Sequence, residues 1–302
     1  MLATDAPAAE AERLRDRAMV DCARAGGAPV ALETHVDGAP HVVAMGAGAA
    51  GSVLALATSS LVFAIDLRAP TIAALPGLSD VEAVAVSPDG ARVAAASRRL
   101  LRLWDVRSGL ALASHALEST SAAPLLAFVP DALDVRFGGV SERLDARTLS
   151  PRAPPSSPPP VPIDTGATVD PSRSSVSLQP ARGASSRSLS VAPAHVVGLA
   201  PRPDARALAV ATDDGRVLLW SPSGLWPSGP ERASVVIGIA ADRAAAFVAV
   251  PTGQVELLGD AADALRCRFG RLLTPFAICA ERFVTADLAV RALAGASVDD
   301  EP

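Results

Sequence analysis

Gly46, Gly48 and Gly51 stand in a G-x-G-x-x-G spacing between the apolar runs HVVAM and SVLALA, and Asp66 closes the next run, VFAI. In a dinucleotide site such glycines permit a tight turn and a close approach to the pyrophosphate, and an acidic residue takes the ribose. The distances argue against that chemistry. Between the turn and Asp66 only about nine residues remain for a helix, where a parallel crossover needs about a dozen or more. Small residues in a loose hairpin turn are the simpler reading, so no cofactor is expected. The histidines, His35, His41, His115 and His195, show no HxH or HxxxH spacing, and Cys22, Cys267 and Cys279 form no CxxC. No metal site is therefore expected from local spacing. The acidic pairs Asp213-Asp214 and Asp299-Asp300 read as a turn and a tail, and neither is an acid/base pair with a substrate. No GxSxG and no Walker loop occur, so no catalytic residue is assigned.

These residues sit on elements whose pattern is clearest in 195–224, HVVGLAPRPDARALAVATDDGRVLLWSPSG. Three short apolar runs are broken by Pro203-Asp204 and by Asp213-Asp214-Gly215, which predicts a three-stranded antiparallel meander. The runs are apolar nearly throughout, as in strands buried on both faces. Six further meanders follow the same pattern. Their first turns lie at Ala49, Pro88, Pro130, Pro171, Pro203, Ala241 and Ala280, at intervals of 39, 42, 41, 32, 38 and 39. A period of about 40 with short strands in each unit is the signature of a β-propeller. The expectation is an all-β propeller of seven four-stranded blades over 29–296, with the fourth unit trimmed. Residues 29–36 predict a lone strand that completes the last blade, 275–294, and closes the ring. Residues 5–25 predict a helix, capped by Asp5 with Pro7 just inside, within an N-terminal segment 1–28. An acidic tail spans 297–302.

The units resemble WD repeats. The second carries SPDGARVAAAS and LLRLWDV with Trp104-Asp105, and the fifth carries AHVVGLAPRPDARALAVATDDGRVLLWS. The resemblance implies a hydrogen-bonded set that holds one blade together: His195, Thr212, Asp214 (or Asp213) and Trp220. It also implies a rigid disk that binds other proteins and is rarely an enzyme. Arg98-Arg99 replace the acidic turn usual between the second and third strands of a repeat. With the loop residue Trp226 they are the expected partner contacts. The Pro-rich stretch 151–162 reads as a stiff connector or a polyproline ligand.

Composition bounds the remaining choices. Half of the 302 residues are hydrophobic, only 3% are aromatic, and neither Lys nor Tyr occurs. Asn is missing too, which points to a GC-rich, bacterial genome. The net charge is −5 with no basic run, so a nucleic-acid partner is not expected. No apolar run is long enough for a membrane helix, and the first residues lack the pattern of a signal peptide. A cytoplasmic monomer that binds one or more proteins is the resulting expectation. Two alternatives stand beside it: a propeller hydrolase or lyase with a central-channel site, and a propeller subunit of a bacterial AAA+ ATPase system. The channel reading is weakened by the inner strands, VVAMG, VEAVAV, LLAFV, VVGLA, VVIGIA and FAICA, in which Glu82 is the one charged residue.

Overall fold

The computed structural model describes residues 30–33 and 42–291 apart from short internal stretches, the longest being 154–166, 179–186, 202–207 and 221–234. β1 (Val30–Glu33) comes first. The first sheet is β2 (Val42–Ala47), β3 (Val53–Thr58), β4 (Val62–Asp66) and β5 (Thr71–Leu75). The second is β6 (Ala83–Val86), β7 (Arg92–Ala96), β8 (Leu100–Asp105) and β9 (Ala111–Ala116). The third is β10 (Leu125–Val129), β11 (Ala132–Phe137), β12 (Val140–Asp145) and β13 (Pro151–Arg152). A three-stranded sheet follows, β14 (Ala167–Val169), β15 (Ser175–Leu178) and β16 (Arg187–Ser190). Next is a six-stranded sheet, β17 (Val196–Pro201), β18 (Leu208–Thr212), β19 (Arg216–Trp220), β20 (Val235–Ile239), β21 (Ala246–Ala249) and β22 (Val255–Leu258). Last, β23 (Arg266–Phe269) and β24 (Leu272–Pro275) form a hairpin whose outer partner is β1.

Every pairing between these strands is antiparallel, and apart from β1, which pairs with β23, paired strands are neighbours in sequence. The architecture is thus an all-β propeller built of meanders. Its blade count corrects the expectation: among the described residues four sheets of four or more strands stand as blades, not seven. Two causes are visible. After β19 comes no apolar alternating run that could add a fourth strand. Its open edge takes β20 instead, with Leu218 opposite Val236, and two meanders fuse into one sheet. At the C-terminal end the expected strands of 275–294 do not form. Phe276–Ile278 is a 3-10 turn and Ala280–Phe283 a short helical turn. Ala, Glu and Arg there favour helix, while Phe276, Phe283 and Leu288 turn into the core. Strand pairing is displaced upstream to β23 and β24, where R-C-R-F alternates and Gly270 breaks the run. The N-terminal strand does pair with a C-terminal one, Val30 opposite Phe269, but in that hairpin rather than in 275–294. The helix expected at 5–25 lies outside the described residues, as do His35, His41, Cys22, Cys279 and Trp226.

The sheets stack face to face through the alternation of their side chains. Leu208, Val210 and Leu218 pack on Val176 and Leu189 of the three-stranded sheet. The opposite side of β18 and β19, with Ala209, Ala211 and Val217, packs on Leu54, Leu56 and Phe63 of the first sheet. The other face of the first sheet meets Val84, Val93 and Trp104 of the second. Ala94, Leu101 and Leu103 then meet Leu133, Val135 and Leu144 of the third. This explains why β3 is buried at every position. Fully burying each Leu or Val in these layers contributes about 1.5–3 kcal/mol. The inner strands line up as β17, β2, β6 and β10. They approach closely, and that is what the glycine motif serves. A Cβ on Gly46 would lie 2.9 Å from Val84 O, and one on Gly198 would lie 3.0 Å from Met45 Cβ. Gly48 N donates to Val53 O at 3.0 Å and closes the hairpin, which leads into β3 and not into a helix.

Candidate functional site

The marked residues of the fifth meander form two pairs. His195 N donates to Asp213 Oδ1 at 2.8 Å, and its Nδ1 lies 3.2 Å from Asp213 Oδ2. Thr212, fully buried, donates from Oγ1 to Asp214 Oδ1 at 2.6 Å. Arg216 Nε donates to Asp214 Oδ2 at 2.7 Å. Burial pushes the Asp214 carboxyl up, but the hydrogen bonds from Arg216 and Thr212 outweigh it and leave it below the usual carboxylate range. Trp220 ends β19 with its backbone opposite Leu208. So Asp213 takes the histidine and Asp214 takes the threonine. All of these contacts pin the β18–β19 turn and the segment entering β17.

A buried hydroxyl recurs at the matching position in two other repeats. Thr58, Ser97 and Thr212 are buried at the end of a second strand, where a bare hydroxyl would be costly. Thr58 Oγ1 accepts from Leu61 N at 3.0 Å, and Ser97 Oγ accepts from Leu100 N at 3.2 Å. The aspartates that end the third strands close the next turn. Asp105 Oδ1 accepts from Ser108 N at 2.8 Å, and Asp145 Oδ1 accepts from Arg147 N at 2.9 Å. The N–H groups of Arg147 and Thr148 hold the Asp145 carboxyl at about 2. Asp134, 3% exposed, accepts both arms of the Arg143 guanidinium across the strand pair, at 2.6 and 2.9 Å.

The second sheet departs from this self-contained pattern. The segment Gly77–Glu82, entering β6, and the turn Ser97–Leu100, between β7 and β8, line a groove of ≈ 540 Å³. Two contacts anchor its far wall. Trp104, fully buried, donates from Nε1 to Pro76 O at 3.2 Å, and Arg102 donates to Gly77 O. Asp80 adopts φ 53°, a left-handed conformation that costs a non-glycine residue energy, and its N donates to Ser59 O at 2.7 Å. On the near wall Arg98 Nε donates to Glu82 Oε1 at 2.6 Å. Arg98 is 59% exposed and Glu82 24%. The second Glu82 oxygen is inaccessible and accepts no bond among the described residues. Arg99 is exposed, and among the described residues neither it nor Asp80 has an ion-pair partner.

The turn and the entering loop thus share one end of the sheet. The roles of Glu82 and Asp80 were missed by sequence reasoning. Glu82 carried a signal, as the one charge in an otherwise apolar inner run. Asp80 carried none, because backbone handedness at a Ser-Asp step is not written in residue type. Among the described residues no three His, Cys, Asp or Glu side chains converge as metal ligands, and no helix is long and apolar enough to cross a membrane.

Residues 71–105, which cover β5 to β8 and this groove, match the family described as WD domain, G-beta repeat. No curated protein matches the chain. Among solved structures it is similar to a chain of the Mitotic Checkpoint Complex, at 14% identity over 81% of each chain, TM-score 0.35. It is similar to the Myceliophteria thermophila Cps50 (Swd1) β-propeller domain at 13% identity, over 73% of this chain and 86% of that one, TM-score 0.34. It is also similar to Kuenenia stuttgartiensis hydrazine synthase at 15% identity, over 74% and 67%, TM-score 0.34. Residues 71–105 thus match one WD repeat, and meander sheets lie on either side of it.

Proposed function

We propose that the chain is a non-catalytic protein-interaction scaffold whose partner docks at the groove of the second sheet, over Arg98 and Arg99. WD-repeat propellers commonly serve as such scaffolds, and this reading rests on one observation. The β7–β8 turn is capped by Ser97 as the β3–β4 turn is by Thr58, and in addition it displays two guanidinium groups beside a groove. Arginine is a frequent anchor of protein contacts. Trp226 is a second proposed contact in the same role. The cytoplasm is the proposed compartment, in keeping with cysteines that lack paired spacing.

Affinity capture from the host tests the proposal. The intact chain is compared with a variant carrying Arg98→Glu and Arg99→Glu, after circular dichroism has shown the same strand content. A partner retained by the wild type and lost by the variant is expected. Recovery of the same partners by both would refute the face assignment. Trp226→Ala weakens capture by a smaller factor in this scheme.

A further inference from the structure

The groove has a charge pattern more specific than a basic patch. Arg98 is held by one edge. Its Nε is bound to Glu82 Oε1 at 2.6 Å, and the other Glu82 oxygen is inaccessible and without a donor among the described residues. If Arg98 swung away, that carboxylate would keep a poorly accessible charge with neither oxygen paired. The pair is partly exposed and its attraction modest, but leaving both oxygens without a donor is unfavourable, which favours the guanidinium held at Nε. Its terminal nitrogens, the pair that forms a fork with a carboxylate, make no bond among the described residues. The turn beneath is equally fixed. Arg99 N donates to Ser97 Oγ at 3.4 Å, and Arg99 O accepts from Leu117 N at 2.9 Å. Asp80, two residues before Glu82, lines the same groove, exposed in its left-handed conformation and anchored by its own N–H on Ser59 O. The groove therefore offers one oriented guanidinium, Arg98, a second on a fixed backbone, Arg99, and a carboxylate, Asp80. With Glu82 neutralising Arg98, the lining carries no excess of either sign.

From this arrangement we infer that the groove takes a partner segment of mixed charge, with an acidic side chain on Arg98 and Arg99 and a basic one on Asp80. Glu82 is a positioning residue that touches no partner. The inference rests on the docking face proposed above and adds the chemistry of its occupant. A purely acidic segment is disfavoured by Asp80, and a purely basic one by the two arginines, since like charges brought together at an interface suppress wrong partners.

Fluorescence anisotropy with three labelled peptides of equal length tests this on the full chain: alternating Glu-Lys, all Glu, and all Lys. The alternating peptide is expected to bind tightest. Arg98→Ala or Arg99→Glu weakens it by about tenfold or more, the loss of a charge-assisted bond. Asp80→Asn shifts the preference toward the all-Glu peptide. Glu82→Ala weakens binding as Arg98→Ala does, and Glu82→Gln, which keeps an acceptor for Nε, restores it. Restoration by Gln is the result that a merely structural role for Glu82 would not give. The inference is overturned if no peptide binds, if a single-sign peptide binds as well as the alternating one, or if Glu82→Ala leaves affinity unchanged. Should those results appear while cellular capture still depends on Arg98 and Arg99, the docking face stands and the charge rule alone fails.

Discussion

Replacing Trp104 tests the second repeat most sharply. Its side chain is fully buried between the first and second sheets, in contact with the cluster that includes Val62, Ala64 and Val93. It also makes one directional bond, from Nε1 to Pro76 O at 3.2 Å, which ties the groove wall to β8. Trp104→Ala removes both and leaves a cavity between two sheets. Large-to-small changes of this kind cost about 3–5 kcal/mol. Trp104→Phe keeps most of the apolar contact and loses the N–H. Pro76 is exposed, so water can satisfy the abandoned carbonyl, and the cost falls to about 0.5–1.5 kcal/mol plus a small packing loss. Urea unfolding followed by far-UV circular dichroism separates the two. The midpoint should fall far for Ala and slightly for Phe, with the slope unchanged. Equal midpoints for Trp104→Ala and Trp104→Phe would refute the claim that packing between the sheets, rather than the indole bond, carries this position.

Other perturbations follow from the same contacts. Gly46→Ala places a Cβ against backbone at Val84 O, and Gly198→Ala places one against the Met45 Cβ, which moves only with its backbone; each should cost about 1–3 kcal/mol, measured by thermal melts. Asp145 is depressed to about 2 from an ordinary 3.8, so its stabilising effect is full above 3.8 and is lost as pH falls toward 2. Asp145→Asn should therefore flatten that part of the stability profile in acid titrations. Arg143→Leu leaves the Asp134 carboxylate buried without its partner. It should destabilise more than the double change Arg143→Leu with Asp134→Leu, measured by denaturant midpoints.

Much of the fold was legible because strand burial is written in residue type. Runs such as VLALA and VFAI are apolar at every position and are buried on both faces. LDVRF alternates, and in it Asp134 finds Arg143 across the strand. The period of about 40 located most meanders for the same reason. The blade count was not legible. It depends on whether an edge finds a fourth strand or the next meander, and β19 found β20. The C-terminal strands were misplaced because PFAICA and RFVTAD satisfy an apolar count, while Ala280–Phe283 prefers a helical turn. Of the candidate site, Arg98 and Arg99 were legible as a break in the repeat. The atom that fixes Arg98 was not, because Glu82 lies 16 residues away in sequence and meets it only when β6 pairs with β7.

The central claim is that the end of the second sheet receives the partner. Hydrogen–deuterium exchange on the complex with a captured partner tests it directly. Slower exchange than in the free chain is predicted for the amides of 77–82 and 97–100, with the third sheet, β10 to β13, unchanged. Protection confined to β10 to β13, with 77–82 and 97–100 exchanging as in the free chain, would contradict it.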